Sequence, residues 1–154
     1  MIKEITVRQL NTRQFIKEQV AAIAAAVGDG TAINALSGGV DSSVVTMLGH
    51  RALGPRLQTV FIDNGIMRAV EPERVVALFR RLGVKVEVVD ARKEFFAALK
   101  GIEDPEEKRE AITQTFYRKV FGRSVRKSGA KHLLQGTILT DVDETVAGIK
   151  RQHN

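Results

Sequence analysis

Residues 31–53 read TAINALSGGVDSSVVTMLGHRAL, and the order of properties along them decides the fold. Residues 31–36 are short and largely apolar, a strand that is buried if it lies centrally in a sheet. Residues 44–53 carry a helical pattern that stops at Gly54-Pro55. Between the two stand Ser37-Gly38-Gly39-Val40-Asp41-Ser42-Ser43. The paired glycines let the backbone turn tightly and aim successive N–H groups inward, while the hydroxyls and the start of the next helix add donors and a partial positive field. Such a loop is a nest for phosphate. A plain strand-to-helix turn accounts for Gly38 and Gly39, but gives no reason for the serines and the aspartate around them. The loop has neither the lysine and length of the Walker pattern nor the GxGxxG of the dinucleotide pattern. A carboxylate among phosphates repels them unless a cation intervenes, so Asp41 predicts Mg²⁺ beside the phosphates, the alternative being a helix-capping aspartate.

Working outward, residues 9–27 repeat apolar side chains at spacings near three and four (Leu10, Phe15, Ile16, Val20, Ile23, Ala24, Val27), one amphipathic helix closed by Gly28-Asp29-Gly30. Residues 57–62 form a second apolar strand, followed by the turn-forming Asp63-Asn64-Gly65 and a helix over residues 72–82. Residues 84–89 alternate and read as a strand nearer an edge. Residues 93–99 begin another helical region. Asp104 and Pro105 then look like a cap and first helical position, opening a helix that runs to Val125 and closes at Gly129. Residues 132–135 are a fourth strand. Strands alternating with helices at this spacing predict an α/β fold with right-handed crossovers and a mainly parallel, helix-covered sheet, all in one domain over residues 1–154. Residues 137–154 lack apolar periodicity and read either as a frayed terminus or as a polar lid at the carboxyl edge of the sheet, where ligands bind in this class.

Composition narrows the function. The chain has 154 residues, 44% of them hydrophobic, and no cysteine, so its core needs no disulfide and thiolate chemistry and cysteine-held metals are excluded. Charges at Lys3, Glu4, Arg8, Arg13, Lys17 and Glu18 interrupt any leader-like apolar run, and no segment reaches the length of a membrane helix. A soluble, cytoplasmic protein without a membrane partner is the expectation. The net charge of +6 is uneven: Arg118, Lys119, Arg123, Arg126, Lys127 and Lys131 stand without an intervening acid. They read as a solvated helix face, with a nucleotide, nucleic acid or acidic surface as the alternative. His50, His132 and His153 form no metal-ligand spacing, and the chemistry of phosphoryl transfer makes Ser42 a poor nucleophile.

SGGVDSS in its strand–loop–helix context resembles the pyrophosphate loop of the N-type ATP pyrophosphatases, with their adenine-nucleotide alpha-hydrolase-like fold. FIDNG at residues 61–65 with Arg68 and Glu71 following, DPEEKR at 104–109, Thr115-Phe116, QGT at 135–137, Asp141-Val142, Glu144 and IKRQHN at 149–154 are similar, in order and spacing, to the pyrophosphatase domain of GMP synthase. The resemblance implies a ligase of purine biosynthesis. ATP adenylates the C2 oxygen of xanthosine monophosphate with release of pyrophosphate, and ammonia then displaces AMP to give GMP. It implies that Ser37, Gly38, Gly39, Val40, Asp41, Ser42 and Ser43 hold the pyrophosphate part of ATP, with Asp41 on Mg²⁺. The backbone around Val60, Phe61 and Ile62 would accept the adenine edge. Arg68 would meet the substrate nucleotide's phosphate, Gln135, Gly136 and Thr137 would line the nucleotide site, and Lys150 would contact the ATP phosphates. Asp141 and Glu144 fall in the family's lid, Asp141 as a second metal candidate or simply a solvated carboxylate.

The pattern departs from the family's at two places. Ile138, Leu139 and Thr140 stand where a tyrosine and a proline commonly precede the aspartate. Arg151, Gln152 and His153 stand where serine and two histidines are common. Nor do these residues include a glutamine amidotransferase domain or the family's carboxyl-terminal dimerisation domain, so the resemblance implies a separate glutaminase subunit and leaves a homo-oligomer open. Two alternatives stay open: a pyrophosphatase of this type acting on another acceptor such as tRNA, nucleic acid being otherwise an unexpected partner, and a noncatalytic nucleotide-binding module.

Overall fold

The computed structural model describes residues 9–138 and Val146. Four parallel strands carry the fold: β1 (Ala32–Leu36), β2 (Leu57–Asp63), β3 (Val86–Asp90) and β4 (His132–Leu134), in the order β3-β2-β1-β4. The helices are α1 (Thr12–Val27), α2 (Val40–Leu53), α3 (Glu71–Arg81), α4 (Arg92–Leu99), α5 (Pro105–Gln114) and α6 (Gly122–Ser128), with a π-helical segment (Thr115–Phe121) joining the last two. The α/β class, the parallel sheet and the edge place of β3 agree with the sequence reading, and β1, conditionally buried in that reading, lies inside the sheet.

Period-two alternation along β1 and β2 divides the core between two faces. On one face Ile33, Val60 and Ile62 pack with Ala91, Phe95 and the π-helical Val120 and Phe121. On the other, Leu36 and Phe61 meet Val76 and Phe79 of α3 together with Val84 and Val86, and Ala32 and Leu57 meet Val27 and Leu53 at the ends of α1 and α2. Both faces are covered, as a parallel sheet requires.

Beyond shifts of one to three residues at the ends of other elements, two differences from the sequence reading bear on the site, each for a physical reason. Helix α2 begins at Val40, not Val44: Gly39 is its N-cap, and Asp41 and Ser42 lie in its first turn. The loop therefore ends inside the helix, whose first turn takes the serines because the Ser42 and Ser43 hydroxyls donate back to the Gly39 carbonyl. The expected helix from Pro105 to Val125 is not uniformly α. Asp104 caps it through the N–H groups of Glu106 and Glu107, each at 2.9 Å, but the hydrogen bonding widens across Thr115–Phe121 before α6 resumes and Gly129 closes it at φ +66°. That widening brings Phe116 and Phe121, five apart, to a ring separation of 5.8 Å in a stacked arrangement, a pairing that α spacing would turn to different faces.

Candidate nucleotide site

The carboxyl ends of β1 and β4 are adjacent although the strands are far apart in sequence. Strands β1, β2 and β3 are laid down in one direction and β4 on the opposite side of β1, so the order reverses between β1 and β4. A crevice at such a reversal is where open α/β sheets bind ligands. A cavity of about 160 Å³ lies there, lined by Ser37, Gly39, Asp41 and Ser42 from the loop, by Gln135 and Gly136 after β4, and by Phe116, Tyr117 and Phe121 of the π-helical segment.

Hydrogen bonds hold the loop in shape. The Ser42 hydroxyl accepts from the Ser37 N–H at 3.2 Å, lies 2.8 Å from the Ser37 hydroxyl and donates to the Gly39 carbonyl at 3.1 Å. Ser43 Oγ donates to the same carbonyl at 2.7 Å, and Ser37 Oγ accepts from the Gly39 N–H at 3.3 Å. Gly38 sits at φ +87°, and a Cβ on it would come within 2.8 Å of Val75 Cγ2. Gly136 is needed for a different reason: a Cβ there would lie 2.8 Å from the carbonyl carbon of Asp41 and 3.1 Å from the Ser42 nitrogen. The strand end after β4 thus presses on the first turn of α2.

Asp41 is exposed and makes no side-chain cap, so the capping role left open for it is not the one it performs. It forms no ion pair with another described residue, and it lines the cavity from a helix start. One free carboxylate beside a phosphate nest fits Mg²⁺, a hard cation that takes one or two protein carboxylates and completes its shell with phosphate oxygens and water. Among the described residues no cluster of three or more potential ligands forms a cage. Asp141, Glu144 and Lys150 lie outside the described residues.

The other expected site residues divide. Gln135 is exposed and lines the cavity, making no hydrogen bond with a described residue. Val40 is exposed at the start of α2, and Thr137 is half-buried just past the cavity lining. Val60, Phe61 and Ile62 do not line the cavity: their side chains are buried core. Val60 and Phe61 are paired with β1 on one side and β3 on the other, whereas Ile62 lies one residue beyond the end of β1 and pairs with β3 alone. Arg68 is exposed in the β2–α3 connection, where its carbonyl accepts from the Glu71 N–H at 2.9 Å.

Asp63-Asn64-Gly65 proves to be a self-bonded turn, with Asp63 accepting from the Gly65 N–H and Asn64 from the Ile66 N–H, both at 3.0 Å. The basic stretch is a solvated helix face in part tied down by acids: Arg123 pairs with Glu94 at 3.2 Å and Lys127 with Glu87 at 3.1 Å.

The aromatic wall is what sequence reasoning missed. Phe116 and Tyr117 meet edge to face at 4.9 Å, and burial pushes the Tyr117 phenol above its ordinary value. A signal was present: three of the chain's eight aromatic residues (Phe 7, Tyr 1) fall within residues 116–121. At α spacing, however, Phe116 is turned away from Phe121.

Comparisons with known proteins give the family and the fold. The family model described as NAD synthase matches residues 9–137. A glutamine-hydrolyzing GMP synthase protein of Archaeoglobus fulgidus, one of that enzyme's separate subunits, is 48% identical over 145 residues, 94% of this chain and 47% of that protein. The protein of the same name from Methanosarcina barkeri is 51% identical over 141 residues, 92% of this chain and 45% of its own length. The chain spans about half the length of these relatives. Among solved structures, an NH3-dependent NAD synthetase from Campylobacter jejuni superposes with a TM-score of 0.67 at 16% identity, over 86% of this chain and 59% of that one, a likeness of fold. No helix among the described residues is long and apolar enough to cross a membrane.

Proposed function

We propose the following function for this chain, which belongs to the NAD synthase family and matches the ATP-pyrophosphatase domain of glutamine-hydrolyzing GMP synthase. It binds ATP at the crevice between β1 and β4 and activates xanthosine monophosphate for amination to GMP. The C2 oxygen of the acceptor attacks the α-phosphorus, the bond from that phosphorus to the β-phosphate bridging oxygen breaks, and pyrophosphate leaves. Ammonia then adds at C2, loses a proton, and AMP departs with the C2 oxygen. A separate glutaminase subunit is the proposed source of ammonia.

The observation that carries the reading is the Ser37–Ser43 loop, wound into the start of α2 and open to a cavity at the strand-order reversal. The departing pyrophosphate develops negative charge, which backbone N–H groups at a helix start stabilise. Mg²⁺, held by Asp41 and in this reading also by Asp141, would supply neutralising charge to the phosphates. Lys150 is proposed to contact the same phosphates. Phe116 and Tyr117 offer apolar surface to a planar base, and Gln135 an amide to its polar edge. The main-chain groups of Ile62, past the end of β1, are the part of the 60–62 stretch best suited to an adenine edge, and Arg68 is proposed for the acceptor's phosphate. Residues 137–154 are proposed as the lid that keeps water from the adenylated intermediate.

The test is pyrophosphate release from Mg-ATP with xanthosine monophosphate and an ammonium salt, with Asp41→Asn as background and a parallel titration of ATP binding. Release that requires xanthosine monophosphate and is lost in Asp41→Asn supports the reading. ATP binding without release under any of these conditions would reduce the chain to a noncatalytic nucleotide module, and RNA-dependent ATP consumption would assign a different acceptor.

A further inference from the structure

Beneath the phosphate loop, three fully buried polar side chains connect the sheet to the first turn of α2. Thr59 on β2, Asn34 on β1 and Thr46 on α2 are 2%, 1% and 0% exposed. Thr59 Oγ1 donates to Asn34 Oδ1 at 2.8 Å, Asn34 Nδ2 donates to Thr46 Oγ1 at 2.6 Å, and Thr46 Oγ1 donates to the carbonyl of Ser42 at 2.7 Å. Asn34 and Thr59 are register partners on adjacent strands. Ser42, at the far end, is the residue whose hydroxyl joins Ser37 to Gly39 across the loop.

The direction of every proton in this relay is determined. A threonine hydroxyl has one proton to give. That of Thr46 goes to the Ser42 carbonyl, so Thr46 can only accept from position 34, and the group facing it must be a donor. The opposite atom of position 34 must then accept the Thr59 proton. Only a side chain with a donor on one prong and an acceptor on the other fits, which is an amide. A hydrophobic core facing α2 would pack equally well with aliphatic residues in these three places, and buried polar groups cost free energy unless every one is satisfied. Here every polar side-chain atom of the three has a hydrogen-bond partner.

We propose that Asn34 is a positioning residue for the phosphate loop: through Thr46 it sets the Ser42 carbonyl, and with it the Ser42 hydroxyl, relative to the sheet. The inference rests on the reading of the loop as the ATP site for its functional consequence, though not for its structural one. Asn34 itself touches no ligand. Its effect on binding passes through the polarity of the relay, and that can be reversed without changing the shape of the side chain.

The informative variant is Asn34→Asp. An ionised carboxylate presents acceptors on both prongs, so it draws the Thr46 proton away from the Ser42 carbonyl and releases the first turn of α2. A protonated carboxyl has one O–H and one C=O and restores the amide's pattern. Burial raises a carboxyl's pKa, so the two forms exchange in an accessible range. Mg-ATP affinity is measured for the wild-type chain and Asn34→Asp at matched pH values from about 8 down to about 5.5, with Thr46→Ser, which keeps the hydroxyl, and Thr46→Val, which removes it, alongside.

The expected result is a ratio of dissociation constants, variant to wild type, of about tenfold or more at the alkaline end, the scale of one buried hydrogen bond, shrinking toward one at the acid end. Thr46→Ser should stay near wild type and Thr46→Val should show the alkaline loss at every pH. A ratio near one throughout, or a loss that is the same at every pH in Asn34→Asp, overturns the proposal. Amide hydrogen exchange at Ser43, whose N–H donates to the Gly39 carbonyl at 3.0 Å, is followed in the same samples with Phe61 as a core reference. Should the wild-type chain not bind ATP, the functional reading fails while the exchange still decides the relay. A pH-reversible loss of protection confined to Ser43 supports the relay, and an unchanged or uniform profile overturns it.

Discussion

The backbone of Gly136 lies against the backbone of Asp41 so closely that one added carbon would stand 2.8 Å from the Asp41 carbonyl carbon and 3.0 Å from its oxygen. The atoms it would meet belong to the first turn of α2 and cannot swing aside as the end of a side chain can. The segment after β4 and the phosphate loop, almost a hundred residues apart in sequence, therefore move as one piece.

Gly136→Ala should push Asp41 and Ser42 out of place without opening the core. Misplacement of a binding group by about 1 Å costs on the order of 10²-fold, so Mg-ATP affinity is expected to fall by about one to two orders of magnitude while the thermal midpoint moves little. Isothermal titration together with a melting curve checks this. An unchanged affinity would mean that the crevice is not where the nucleotide sits.

Gly38→Ala meets two obstacles that can be separated. The backbone at φ +87° disfavours any L side chain, by about 1–2 kcal/mol, and the new methyl would strike Val75 Cγ2 at 2.8 Å. Trimming the neighbour in Gly38→Ala/Val75→Ala should recover the steric part only. Urea unfolding of the three variants is expected to leave the double variant less stable than Val75→Ala alone by about the backbone cost.

Tyr117 is the chain's single tyrosine, and there is no tryptophan, so intrinsic emission reports on the cavity it lines. Adenine nucleotide should change that emission saturably, and Tyr117→Phe should abolish the signal while retaining most of the affinity. Burial favours the neutral phenol. The sign follows: stability from this group is complete below the ordinary phenol value of 10.0 and declines as pH rises from there through the higher folded value. Absorbance of the phenolate during alkaline titration should lag that of a free tyrosine, and bound nucleotide should increase the lag.

Asp90 and Arg92 pair at 2.5 Å at the carboxyl end of β3. The Arg92 guanidinium holds the Asp90 carboxyl down to about 2 from its ordinary 3.8 and is itself held more firmly charged. A lowered carboxyl contributes stability above its unfolded value and loses it as pH falls from about 4 to about 2. Wild type should exceed Asp90→Asn in urea midpoint at neutral pH by a small margin that added salt reduces, since both groups are exposed. The margin should shrink steadily as pH falls toward about 2. A margin that does not shrink would assign the effect to packing.

Much of this protein was legible along the chain because it depends on local physics. Two glycines followed by hydroxyl side chains make a nest wherever they join a strand to a helix. Apolar runs of five or six residues separated by helical periods force a covered parallel sheet. Asp104 ahead of Pro105 caps a helix by the reach of its own side chain, and the cap is there.

What the chain alone did not reveal depends on which residues meet at a distance. The start of α2 at Val40 goes with the Ser42 and Ser43 hydroxyls bonding back to the Gly39 carbonyl, something composition at 44–53 could not disclose. Phe116 stacks on Phe121 only because the helix widens to i, i+5 bonding beneath them. The closeness of Gly136 to Asp41 follows from β4 joining the sheet beside β1, and Asn34, one polar residue in an apolar strand, acquired its meaning from Thr59 and Thr46 on either side. By itself the sequence determined the α/β class and the glycine–serine loop that joins β1 to α2, since propensity, turn chemistry and charge act over a few residues. The crevice, its aromatic wall and the buried relay were decided by tertiary structure, because strand order and the satisfaction of buried polar groups exist only once distant segments are packed together.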